Sequence, residues 1–456
     1  MKTHVLSKTL YQNLVIAVFI VFFPAILVAQ VPSGSEFSLQ QVIEYALKNQ
    51  VDIKNAQLDA EIARARTNEL IAVGLPQVNG TADMNKYLEI PTQFVPAEFF
   101  NGEPGSYAPV QFGQPYTASA GINASQLLFD GSYLIGLKAS KTYVELARKG
   151  LTRTRIETAV DVSKAYYYVL VVKERAKQLT VDLSRLRKLR DDTKALFDNG
   201  FVEKIDADRI ALSYNLVESA LSQTQRLVTN SYNLLKFQMG MDLNSSITLT
   251  ENIASINFDA AAIPVDSVNS KSRIEYEILE TQYKLAGYDL KRYKTARWPS
   301  LRAFGNLSAN ASRNEFNFFE SGYRWYPSSV IGVSLSVPIF GGYKIGFQVK
   351  QARLNQQKVE NSFYTLEQGI KLEHENALNT FQSNIDKLET QDENRNLARE
   401  IARISKIKYD QGVGSNLEVI DAESSLREAE ANYYVALLET IISKIDLDKA
   451  LGNYKY

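Results

Sequence analysis

The side chains best placed to do chemistry lie just beyond two glycine turns. In "FDNGFVEKIDADRIA" Asp206 follows Gly200, and in "YDQGVGSNLEVIDAE" Tyr409 precedes Gly412 while Glu418 and Asp421 follow it, three apart on one helical face. Catalysis would need these carboxylates in a pocket-forming set with other reactive groups, and this chain offers few. It has no cysteine, which rules out disulfides, thiolate metal sites and a cysteine nucleophile, and only two histidines, His4 and His374. His374 sits among Lys371, Glu373 and Glu375 and reads as a solvated surface residue. No set of nucleophile, base and glycine-rich loop accompanies it, so no enzyme, metal centre or cofactor is expected. The carboxylates can instead act electrostatically: repeated by symmetry around a pore, they form an acidic ring that favours cations and narrows the path. A structural reading stands beside this one. "SNLE" (415–418) matches a capping box that would use Glu418 to satisfy a helix start, and Asp206 suits the positive end of a helix dipole. Asp421, one turn deeper, fits neither role.

Long helices must position these residues. Ten of the prolines fall between Pro76 and Pro338, leaving 116–263 and 339–456 almost free of helix breakers and rich in Leu, Ala, Lys, Glu, Gln and Arg. Gly200 and Gly412 divide each stretch into helix, tight turn and helix. The leading helices, over 137–198 and 343–410, would be about 90–100 Å long at about 1.5 Å per residue, too long to bury in a globular domain. The two stretches are copies: Phe129 and Gly131 match Phe340 and Gly342, Gly200 matches Gly412, and "LLKFQMG" matches "LDKALG" with Gly240 on Gly452. Upstream, "GLPQV" matches "RWPSL". The unit is helix, strand, loop, strand, long helix, turn, helix, and it occurs twice. The repeats span 30–242 and 273–456, with a mixed linker at 243–272 that can form a small extra layer. In the last helix Ala422, Leu426, Ala429, Tyr433 and Ala436 make a small-residue heptad seam for a neighbouring helix.

Four segments alternate strictly: "PQVNGTADMN", "YTASAGINASQLLF", "LRAFGNLSANA" and "VIGVSLSVPIF" (330–340). One face carries Val, Ala, Ile, Leu and Met; the other carries Ser, Thr, Asn and Gly. Each has about the 9–11 residues that cross a bilayer on a slant. Lipid suits the apolar face and a water-filled lumen the polar one. Four strands cannot close a barrel, and open edges in hydrocarbon leave backbone groups unpaired, so further copies of the chain are required. The loops at 86–115 and 312–329 are rich in Phe, Tyr, Gly and Pro; rings such as Phe316, Phe318, Phe319, Tyr323, Trp325 and Tyr326 can anchor at the membrane interface, fold over the pore mouth, or pack as ordinary surface.

The N-terminus has the parts of a secretory signal over 1–29: Lys2 and Lys8, an apolar run from Leu14 to Val28, and Ala29 before "QVPSGSE". Lys plus Arg balances Asp plus Glu at 51 each, so composition does not point to nucleic acid.

This ordered set resembles the TolC-like outer-membrane efflux proteins (the outer membrane factor family). The opening helix "FSLQQVIEYALKNQVDIKNAQLDAEIARARTNELIAVGLPQV" is similar to that family's N-terminal pattern, with Leu39, Ala46, Leu47 and Asn49 ahead of Leu75-Pro76, although Gln50 stands where the family often has proline. The resemblance implies a mixed α and transmembrane β fold. Three chains of four strands would close a 12-stranded barrel in the outer membrane of a Gram-negative bacterium, joined to a long periplasmic α-helical barrel. It implies a homotrimer serving as the exit duct of a tripartite efflux pump or type I secretion system. A periplasmic adaptor would dock on the tips around Gly200 and Gly412, and an inner-membrane pump of RND, MFS or ABC type would supply energy. By the same resemblance the channel gate falls on Asp206, Tyr409, Glu418 and Asp421, while Gly414 takes the place of a basic latch residue. A periplasmic adaptor needs only one hairpin, and a structural coiled coil needs no alternating strands, so both alternatives fit the duplicated pattern less well.

Overall fold

The computed structural model describes residues 35–253 and 269–456. The signal segment and the middle of the 243–272 linker lie outside the described residues.

The duplication is visible in element lengths. The first repeat runs through α1 (Leu39–Asn49), α2 (Val51–Ala72), β2 (Gln77–Lys86), β5 (Tyr116–Phe129), α3 (Gly131–Asp198) and α4 (Lys204–Met239). The second runs through α5 (Ile274–Thr295), β7 (Ser300–Arg313), β8 (Tyr326–Ser336), α6 (Lys344–Asp410) and α7 (Asn416–Leu451). Helices α2 and α5 have 22 residues each, α3 and α6 have 68 and 67, and α4 and α7 have 36 each. The short strands β1 (Ser35–Phe37) and β6 (Ile247–Leu249) pair in parallel, and β3 (Thr92–Pro96) and β4 (Tyr107–Gln111) form a small hairpin within the 86–115 loop.

Two boundaries differ from the sequence expectation. Helix α3 starts six residues earlier than 137, because the Asp130 carboxylate accepts from Tyr133 N at 2.8 Å and caps it. The last strand runs over 326–336 rather than 330–340: it recruits four loop residues and stops before Pro338, which has no N–H for the ladder.

The four long strands form one antiparallel sheet in the order β2-β5-β7-β8. Its register sorts the rows onto an apolar and a polar face, with exceptions such as the Lys86–Tyr116–Arg313 row on the first and Phe304 on the second. Val78↔Ala124, Ala82↔Ala120, Ile122↔Leu307, Ala303↔Val333 and Leu301↔Leu335 share the apolar face. Asn79↔Asn123, Ser119↔Asn310, Asn123↔Asn306 and Arg302↔Ser334 share the other. On that polar face Asn306 donates to Asn123, and Asn123 Nδ2 donates to Thr81 Oγ1 at 3.3 Å, a polar row across three strands. Apart from Ala118 and Ala311, which are covered by Phe318, the apolar face meets no core: Ile331 is 89% exposed, and Val333 and Leu335 are exposed with it. Both edge strands, β2 and β8, are unpaired on their outer sides within the described chain.

The main core lies where α1 packs beneath the hairpins and gathers Val42, Ala46, Val162, Tyr166, Val169, Leu235, Met239 and Ile441. Tyr166 OH donates to Phe37 O at 3.4 Å, tying the β1–β6 pair to α3. Helix α6, by contrast, buries only Ala352, Ile370, Phe381, Ala398 and Ala402 along its length. Phe347, Tyr364, Leu372 and Leu397 stay exposed on it, a surface composed for covering rather than for water. Among the described residues no helix is long and apolar enough to cross a membrane.

Candidate gate at the helical tips

Each hairpin reverses in the same way. Gly200 and Gly412 take φ of 79° and 73°, the left-handed region that costs a side-chain-bearing residue about 1–2 kcal/mol. The following residue bonds back across the turn: Phe201 N donates to Leu196 O at 2.9 Å, and Val413 N to Lys408 O at 3.0 Å. Phe201 and Val413 therefore project from the two tips, 78% and 76% exposed.

Beyond the turns, α4 opens with Asp206 in its first turn, and α7 opens with Ser415 as N-cap. Ser415 Oγ accepts from Glu418 N at 3.2 Å. The reciprocal half of the capping box, present at Ser38 and Gln41 of α1, is not made by Glu418. Its carboxylate is exposed, as is that of Asp421, and neither engages another described residue in a hydrogen bond or ion pair. The acidic pair thus points into water, available to a solute or a neighbouring chain.

Tyr409 and Asp206 sit on the seam between the two hairpins. The Tyr409 ring packs beside a cluster of Leu186, Leu189, Ile210, Tyr214, Val217 and Val419, and its hydroxyl lies 3.5 Å from Thr193 Oγ1 of α3. Lys406 Nζ stands 5.7 Å over the same ring. The Asp206 side chain makes no contact of this kind. Its backbone carbonyl accepts from Asn416 Nδ2 at 2.9 Å, and Asn416 is buried. The structure therefore brings Tyr409 and Asp206 to one seam without joining their side chains, and it leaves Glu418 and Asp421 apart from both.

Sequence reasoning passed over two parts of this seam. Asn416 is the first, a weak helix former in the first position of a helix, where only a tertiary partner rewards it. The second is a buried polar cluster farther from the tip, where α3 meets α7. Asp182, Glu423 and Glu430 are all buried there. Arg185 Nη2 bridges Asp182 at 2.9 Å and Glu423 at 3.1 Å. Gln178 Nε2 bridges Asp182 at 3.2 Å and Glu430 at 3.1 Å, and Arg399 of α6 stands 3.6 Å from Glu430. Burial raises the pKa of all three acids, and burial together with the Asp182 carboxylate pushes Glu430 up to about 7. The signal in the sequence was the seven-residue spacing of Glu423 and Glu430, one position beside the Ala422–Leu426–Ala429 seam. That seam packs on Ala398 and Ala402 of α6, while the glutamates face α3.

Among the described residues no group of His, Cys, Asp and Glu side chains is placed to hold a metal ion. The outer membrane efflux protein family model matches residues 42–241 and 279–453. The probable efflux pump outer membrane protein TtgC of Pseudomonas putida is 25% identical over 435 residues, spanning 92% of this chain and 84% of its own length. The outer membrane protein TolC of Vibrio cholerae is 21% identical over 340 residues, 74% of this chain and 76% of its own. In fold, the solved Campylobacter jejuni CmeC outer membrane channel superposes with a TM-score of 0.70 at 19% identity, covering 91% of this chain and 85% of that one. These relatives are transport channels rather than enzymes, and the adaptor and coiled-coil alternatives fall away. The chain belongs to the outer membrane efflux protein family, an outer-membrane efflux channel with a periplasmic helical portion.

Proposed function

We propose that three copies of this chain close a 12-stranded barrel and a helical tunnel, and that the tunnel's free end is gated at Tyr409, Asp206, Glu418 and Asp421. One observation carries the reading: the sheet is apolar on one face, polar on the other and open at both β2 and β8. Pairing β8 of one copy with β2 of the next satisfies every ladder, turns Ile331, Val333 and Leu335 to lipid, and turns the Asn123–Asn306 row to the lumen. The same ring of copies covers the bare apolar stripe of α6.

In this reading the duct does no chemistry and supplies no energy. A periplasmic adaptor docks on the tips, where Phe201 and Val413 offer exposed apolar contacts beside Gly200 and Gly412, and an inner-membrane pump drives the substrate. Threefold symmetry makes rings of Glu418 and Asp421, six carboxylates that attract cations to the constriction. Native mass spectrometry of protein extracted from outer membranes in mild detergent tests the assembly. A trimer supports it; a monomer or dimer lacking membrane association overturns it.

A further inference from the structure

The β7–β8 loop has an unexpected side preference. Phe318 is 5% exposed and packs on Ala118 and Ala311, which face each other directly across β5 and β7. Those alanines belong to the apolar face: two and four residues on come Ala120 and Ile122, opposite Ala309 and Leu307. The polar neighbours Ser119, Asn310 and Ser312 point the other way, and Asn310 and Ser312 stay exposed. The loop has thus folded back over the side the barrel presents to lipid.

Its conformation is held by Arg313, at the end of β7 on that same face. Arg313 Nη2 donates to Arg324 O at 2.9 Å and Nη1 to Ser312 O at 2.9 Å, while its guanidinium lies 5.2 Å from the Tyr323 ring and 6.0 Å from Phe318. Around this clamp Phe316 meets Tyr116 at 6.1 Å, Phe318 at 5.7 Å and Phe319 at 6.3 Å, and Phe318 meets Trp325 at 6.1 Å. Lys86, in the same row as Tyr116 and Arg313, stands 5.4 Å over Tyr116. Phe316, Phe319 and Tyr323 remain exposed on the outside of the cluster. Aromatic rings at the rim of a lipid-facing surface, with cations beside them, have the composition that prefers the headgroup zone of a bilayer.

We infer that residues 314–325 form an anchor in the outer-leaflet interface, lying against the lipid side of the barrel with Phe316, Phe319 and Tyr323 among the headgroups, and that they do not form a lid over the pore. This rests on the barrel reading above. It predicts that the polar mouth of the lumen stays uncovered by this loop.

The test uses single-tryptophan trimers in a Trp298→Phe, Trp325→Phe background, reconstituted in phosphatidylcholine vesicles brominated either near the headgroup or near the bilayer centre. Phe319→Trp should lose about half its fluorescence with the shallow bromine and less with the deep one, as an interfacial ring does. Ile331→Trp, in the middle of the apolar face, reports the barrel separately and should be quenched by both. If Ile331→Trp is quenched while Phe319→Trp responds only to aqueous iodide, the anchor is overturned and the barrel stands. If neither responds to lipid bromine, the barrel reading fails and the anchor with it. As a second readout, Phe316→Ala with Phe319→Ala should leave single-channel conductance unchanged; a rise would make the loop a lid.

Discussion

Asn416 at the start of α7, just past the second tip, donates its side-chain amide to the backbone carbonyl of Asp206 in the first turn of α4, just past the first tip, at 2.9 Å. One hydrogen bond thereby joins the two tips of a single chain, and it uses no atom of the Asp206 carboxylate. The carboxylate stays free for a neighbouring copy.

Replacing Asn416 by alanine removes that tie. A hydrogen bond contributes about 1 kcal/mol net, but Asn416 Oδ1 is buried without a partner and offsets much of it. The expected outcome is therefore a nearly unchanged melting temperature with faster hydrogen exchange over 203–210 and higher single-channel conductance. Unchanged exchange there would show that the tips hold together without Asn416.

Asp206→Ala and Tyr409→Ala should each loosen the closed end and raise conductance, by different routes. For Tyr409 the ring matters more than the hydroxyl, because the Thr193 contact at 3.5 Å is long. Tyr409→Phe should then stay close to the parent, while Tyr409→Ala forfeits about 1–3 kcal/mol of packing on the Leu186–Tyr214 cluster. Bilayer recordings of the three variants decide this; equal conductance in all of them would remove Tyr409 and Asp206 from the gate.

Neutralising the exposed acids should alter selectivity without touching stability. Glu418→Gln with Asp421→Asn is expected to shift the melting point little, since surface substitutions stay within about 0.5 kcal/mol. Cation preference, read as reversal potential in asymmetric salt, should fall. A preserved reversal potential would leave Glu418 with only its backbone at the Ser415 cap.

The α3–α7 seam should tighten on acidification. Glu430 is raised from 4.5 to about 7 in the fold, so the folded protein holds a proton there that the unfolded chain has already lost. That contribution is complete below about 4.5 and disappears as pH rises through about 7. The upward shifts of Asp182 and Glu423 act in the same direction, against the opposing pull of Arg185, Arg399, Arg427 and Lys406. Thermal unfolding at pH 8 and pH 5.5 should show the acid sample more stable, and Glu430→Gln should flatten the difference. Should the variant keep the parent's full pH dependence, the titrating group lies elsewhere.

Much of the architecture was legible in the residues alone. The spacing between Gly200 and Gly412, and between Gly240 and Gly452, marks a duplicated hairpin, because a left-handed turn needs glycine wherever the copy places it. Strict alternation in the four strands assigns every side chain to one of two faces, because side chains in a strand alternate with a period of two. Those are local rules, and local sequence suffices for them. The partners were another matter. Nothing in "SNLE" says that Asn416 meets the carbonyl of Asp206, 210 residues away, or that Glu430 shares a glutamine with Asp182, 248 residues away. Nor does the aromatic loop announce which face of the sheet Phe318 will choose. Those outcomes depend on how two long hairpins and a curved sheet come together. Long-range contacts are decided by the simultaneous packing of all their neighbours, and no stretch of sequence holds them separately.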